Sequence, residues 1–102
     1  MKQYNKLVRD KIPEIIEKSG RRLEYEILTN DAYITELDKK LDEEVSEYRE
    51  SRNLEEIADI IEVLYALCES NGSSVKELEQ IRKKKAAERG SFKNKIYLKC
   101  VE

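Results

Sequence analysis

Two pairs of carboxylates carry the first chemical signal in this chain: Glu44 with Glu47, and Glu56 with Asp59. Each pair is spaced three residues apart, so on a helix its members share one face about a turn apart. The stretch between the pairs is short, which makes the two helices antiparallel neighbours. In such a hairpin, residues whose numbers add to the same total lie level. Glu47 is therefore expected opposite Glu56, and Glu44 opposite Asp59. Four converging carboxylates repel one another and raise one another's pKa. A divalent cation relieves that repulsion. Mg²⁺ suits a site of oxygen ligands and keeps waters for a substrate's phosphates. The plainer reading is that these acids face solvent on charged helices, as Glu43 and Glu50 are expected to do.

The residue inventory narrows the chemistry. The chain has no histidine, which excludes the serine–histidine–acid triad, the cysteine–histidine dyad and histidine-ligated zinc. Two cysteines, Cys68 and Cys100, have no metal-binding spacing and read as reduced thiols of a cytosolic protein. Carboxylate, lysine and arginine chemistry remains.

Charge is laid out as basic, acidic, basic. Residues 1–22 carry seven Lys/Arg against three Asp/Glu, residues 31–62 twelve acids against four bases, and residues 81–100 eight bases against Glu88 alone. An acidic metal cradle with basic arms reaching a polyanion fits this order. Lys6, Arg9, Lys11, Lys84, Arg89, Lys93 and Lys95 are the candidates to hold phosphates, arginine by bidentate hydrogen bonds. The Lys83-Lys84-Lys85 run also fits a helix end that complements its dipole. Nucleic acid is disfavoured, because only Phe92 and Tyr97 interleave the basic ends and the centre is acidic.

The elements that must position these groups are helical. Three glycines and one proline leave little punctuation in 102 residues. A first helix is expected over 6–19, with Pro13 near its start or as a break. Residues 22–29 alternate well enough to be extended. Asn30 or Asp31 can cap a helix over 32–51, whose apolar stripe is Ile34, Leu37, Leu41, Val45 and Tyr48. Asn53 with Glu56 has the capping-box pattern for a third helix ending at Asn71-Gly72. Ser74 with Glu77 opens a fourth, closed by Gly90. Residues 95–99 are a strand or an extended arm. The expected architecture is all-α: an antiparallel helical bundle around a two-helix acidic hairpin, with a short extended C-terminal arm, in a single domain over 1–102.

Two features bear on assembly and location. The third helix is apolar on two sides, with Ile57, Ile61, Leu64 and Cys68 on one and Ile60, Val63 and Leu67 on the other. Charged residues make up 41% of the chain, well above the usual ~25%, so its own core is thin and self-association is expected. No apolar run is long enough for a membrane span, and the N-terminus has no apolar segment of a secretion signal. A cytoplasmic location is the expectation.

The acids lie in a recognisable arrangement. Glu43-Glu44-Val45-Ser46-Glu47 followed by Glu56-Ile57-Ala58-Asp59 resembles the EExxE…ExxD signature of the MazG-like, all-α nucleoside triphosphate pyrophosphatases. The opening from Tyr4 through Leu7-Val8-Arg9-Asp10-Lys11 to Ile16 resembles a small subgroup described as phosphoribosyl-ATP pyrophosphohydrolase-like, and Glu88-Arg89-Gly90-Ser91-Phe92 resembles its ending. Two departures stand out: the eight residues between Glu47 and Glu56 are fewer than in many members, and Ser91 replaces an expected second glycine.

The resemblance implies Mg²⁺-dependent hydrolysis between the α- and β-phosphates of a nucleoside triphosphate, giving the monophosphate and pyrophosphate, as house-cleaning of non-standard nucleotides. Mn²⁺ is a possible substitute. It implies Glu44, Glu47, Glu56 and Asp59 as metal ligands, with one of them or Glu43 orienting the attacking water. It also implies a homodimer or tetramer. The alternative is a non-catalytic, dimeric helical interaction or regulatory module on the same scaffold.

Overall fold

In a computed structural model, described for residues 2–102, the chain folds as four helices: α1 (Ile12–Lys18), α2 (Asn30–Ser51), α3 (Leu54–Ser70) and α4 (Val75–Arg89). No strand occurs among the described residues, so the fold is all-α. Helices α2 and α3 form the central hairpin, and α4 packs more sparingly on α3.

The first helix is shorter than the 6–19 expectation. Pro13 occupies its first turn, and Lys11 precedes it without a side-chain cap. Proline lacks an N–H, and its ring clashes with the carbonyl four residues back, so the helix cannot extend upstream. Residues 4–9 therefore run as irregular chain.

Thr29, rather than Asn30 or Asp31, caps α2. Its backbone is extended and its hydroxyl accepts the Ala32 N–H at 3.3 Å, which makes Asn30 the first helical residue. Residues 22–29 are irregular rather than a strand, since the described residues offer no strand to pair with.

Only Arg52 and Asn53 separate α2 from α3. Arg52 takes a left-handed backbone (φ 59°), and its N–H bonds the Tyr48 carbonyl at 2.7 Å. A left-handed non-glycine residue costs about 1–2 kcal/mol. The Arg52 guanidinium offsets part of this by lying 5.3 Å from the centre of the Tyr48 ring. Asn53 then caps α3, accepting the Glu56 N–H at 3.1 Å. The expected reciprocal half of that capping box is not made: the Asn53 N–H donates to Ser51 Oγ at 3.4 Å. The box is complete at α4, where Ser74 and Glu77 cap each other. Gly72 and Gly90 follow α3 and α4 with φ of 81° and 82°, where glycine carries no Cβ penalty.

The core is thin, as the composition implied. Leu37 of α2 and Val63 of α3 are its buried apolar residues. The molecule spans 61 × 32 × 24 Å, with a radius of gyration of 17.9 Å against about 13 Å for a compact domain of this size. The C-terminal arm, residues 95–102, is exposed, and Phe92 just before it is 99% exposed. Both cysteines are free, and no helix of the described residues is long and apolar enough to cross a membrane.

Candidate metal centre

The two-residue connector sets the register of the acids. Glu44 of α2 comes together with Glu56 and Asp59 of α3, one carboxylate oxygen from each lying within 4.8 Å of the others. Glu44 faces Asp59, as the level register requires. Glu47 stands close enough for its charge to act on Glu44, yet its carboxylate lies outside the group of three. Register sets only height along the hairpin. Positions three apart on a helix also differ by about 60° around its axis, so both acids of one pair need not aim at one point.

Glu44 is the most confined member, only 6% exposed, while Glu56 and Asp59 are half-buried. Its Oε1 lies 3.4 Å from Lys40 Nζ, and its Oε2 is buried with no hydrogen-bond partner. Burial, then the Glu47 charge, pushes the Glu44 carboxyl above its ordinary value, and Lys40 only partly opposes this. Glu43 behaves differently. Burial pushes it up as well, but hydrogen bonds from Lys6 (3.1 Å) and Lys40 (3.3 Å) outweigh that and hold it below its ordinary range. Glu43 is thus pinned between two ammonium groups rather than facing solvent as expected.

The basic N-terminal segment reaches this cluster. Lys6 pairs with Glu43, and the Arg9 Nη2 donates to Asp59 Oδ1 at 2.6 Å. An open cavity of about 670 Å³ lies alongside, lined by Arg9, Lys11, Lys40, Glu44, Asp59, Tyr33 and Tyr65 among others. Lys40 was missed by the sequence reading. The signal was available, since Lys40 precedes Glu43 and Glu44 by three and four residues, the spacing of helical neighbours.

The C-terminal candidates lie elsewhere. Lys84, Arg89, Lys93 and Lys95 are exposed, and none of them lines the cavity of this chain. The Lys83-Lys84-Lys85 run is likewise on an exposed stretch of α4.

The donor set suits a hard divalent cation. Three carboxylates from facing helices converge, and one is buried with an unpartnered oxygen, which is costly unless a cation meets it.

Comparison with known proteins adds little beyond this. No family model matches the chain, and no solved structure matches it. An uncharacterised protein of Mycolicibacterium smegmatis is 56% identical over 43 residues, 42% of this chain and 44% of that protein. The match therefore spans less than half of either chain and carries no activity across.

Proposed function

We propose that the chain is a Mg²⁺-dependent nucleoside triphosphate pyrophosphohydrolase of the MazG-like kind, cleaving between the α- and β-phosphates to release the monophosphate and pyrophosphate. The observation that carries this reading is the buried, unpartnered Glu44 oxygen within the group of Glu44, Glu56 and Asp59. These three acids would hold the metal, and Glu47 beside them can complete the set. Bound there, Mg²⁺ supplies charge neutralisation to phosphate oxygens and lowers the pKa of water.

The chain's own residues do the rest. Arg9 and Lys11 line the cavity and would supply positive charge to a polyphosphate, while Lys40 stays paired with Glu43 and Glu44. Phosphoryl chemistry needs such positioning and electrostatics more than a covalent partner, which suits a chain without histidine. Water would attack the α-phosphorus, the bond to the bridging oxygen would break with its electron pair leaving on pyrophosphate, and the water's proton would pass to solvent. Glu43, held anionic by Lys6 and Lys40, is a weak proton acceptor and serves to orient rather than to take the proton.

The proposal includes self-association in the cytoplasm. Ile57, Ile61 and Leu64 lie along α3 at 39–41% exposure, a second apolar side that α2 leaves uncovered.

A panel of nucleoside triphosphates with Mg²⁺, scored for pyrophosphate against single phosphate, tests the reading. Pyrophosphate release that is lost in Asp59→Asn supports it. No release from any nucleotide leaves the non-catalytic helical module in its place.

A further inference from the structure

Among the cations around the acid cluster, Lys40 and Arg9 are held in opposite ways. Lys40 sits on the same helix as its partners, is 17% exposed, and touches both Glu43 and Glu44. It is part of the rigid frame. Arg9 arrives from irregular chain upstream of Pro13, is 56% exposed, and meets a 38% exposed Asp59 through Nη2 alone. A guanidinium carries five N–H donors in a fork suited to bidentate recognition, so one bond to one oxygen uses little of its capacity. Ion pairs this exposed are weak and exchange readily with other ions.

Asp59 is also one of the three acids whose oxygens converge, so Arg9 occupies the same carboxylate that a divalent cation would claim. Arg9 also lines the cavity, with Lys11, Lys40 and the acids Asp10, Glu44, Asp59, Glu62 and Glu69, so a polyanion can enter only where a cation offsets that negative charge. We infer that Arg9 is the resident counter-ion of Asp59, exchanged for a divalent cation, and that the guanidinium released by this exchange grips the phosphates of an anionic ligand in the cavity. The inference rests on the metal reading of Glu44, Glu56 and Asp59. It makes one side chain couple the two binding events: cation binding arms the anion site.

This coupling has a signature that a purely structural arginine lacks. Removing Arg9 acts with opposite signs on the two ligands. Arg9→Ala is expected to bind Mn²⁺ about 2- to 5-fold more tightly by calorimetry, the scale of one exposed ion pair. The gain should vanish when Arg9→Ala is compared with its parent in an Asp59→Asn background. Tripolyphosphate, added as its Mn²⁺ complex, should bind Arg9→Ala about 10-fold more weakly, the scale of a lost charge-assisted hydrogen bond. In the wild-type chain, trypsin should cut after Arg9 faster when Mn²⁺ is saturating, which tests the exchange even if the variant folds poorly. Unchanged or weaker Mn²⁺ binding by a folded Arg9→Ala overturns the exchange while leaving the metal site standing. Unchanged cleavage after Arg9 does the same. Absence of Mn²⁺ binding in both proteins overturns the exchange and the metal reading together.

Discussion

Lys40 and Glu44, one turn apart on α2, face each other at 3.4 Å, and the lysine meets only one of the two carboxylate oxygens. The other, Oε2, is buried and unpartnered. Lys40 is shared with Glu43, so its charge is divided between two acids. The result is a carboxylate with one oxygen met by an ammonium group and the other unpartnered, grouped with Glu56 and Asp59. That asymmetry underlies the expectations below.

Glu44 should weaken the metal-free fold at neutral pH. Its pKa is raised in the folded state, so the fold holds its proton more tightly than the unfolded chain does. The cost is therefore present above the folded pKa and disappears as pH falls below the unfolded value. Glu44→Gln is expected to stabilise the fold at pH 7–8 by on the order of 1 kcal/mol, which raises the melting temperature by a few degrees for a domain of this size. The gain should shrink toward zero near pH 4. Thermal melts across pH, in chelator, check this.

Millimolar Mg²⁺ or Mn²⁺ should raise the wild-type melting temperature, because a ligand bound only by the native state stabilises it by about 2.7 kcal/mol at 100 times its Kd. Glu44→Gln should lose this response. Glu47→Gln should keep part of it, since Glu47 lies outside the group of three. Equal shifts in all three proteins would remove the metal site.

The Lys6–Glu43 pair has its own pH window. Glu43 is held below its ordinary value, so its contribution is present above the unfolded carboxylate pKa and lost as pH falls through the folded one. Lys6 is raised, chiefly by its hydrogen bond to Glu43, so its contribution is present below the unfolded lysine pKa and lost as pH rises through the folded one. Lys6→Ala should therefore destabilise between about pH 5 and pH 10 and little outside that range. The side chains are 42% and 29% exposed, so the loss should be only a few tenths of a kcal/mol and should fall with added salt. Urea titrations at two ionic strengths measure it.

Ile61 stands on the uncovered side of α3 and is 41% exposed in the single chain. A glutamate there is tolerable in a monomer and costly in an interface, where its charge would be buried without a partner. Ile61→Glu is expected to convert a homodimer or tetramer into smaller species by sedimentation, with helicity retained at high dilution. A wild-type chain that sediments as a monomer at low micromolar concentration would contradict the assembly.

Much of the scaffold was legible because its signals are local. Asn53, Ser74, Gly72 and Gly90 act on the backbone within one turn, so their positions mark the boundaries of α3 and α4 in sequence. The three-residue spacings and the short connector brought Glu44 level with Asp59. The same local logic misplaced the start of α1 and the cap of α2, where a proline ring and the Thr29 hydroxyl prevailed over the periodic pattern.

The sequence by itself thus determined the helices, the hairpin and which acids could meet. Tertiary structure alone decided how each acid is met. Burial of Glu44, the place of Glu47 beside the group of three rather than in it, and the docking of Lys6 and Arg9 onto helices 37 and 50 residues away depend on packing and on which side chains claim a shared space. No local pattern encodes those outcomes, because an ion pair across that separation forms only once the N-terminal segment has docked onto the hairpin.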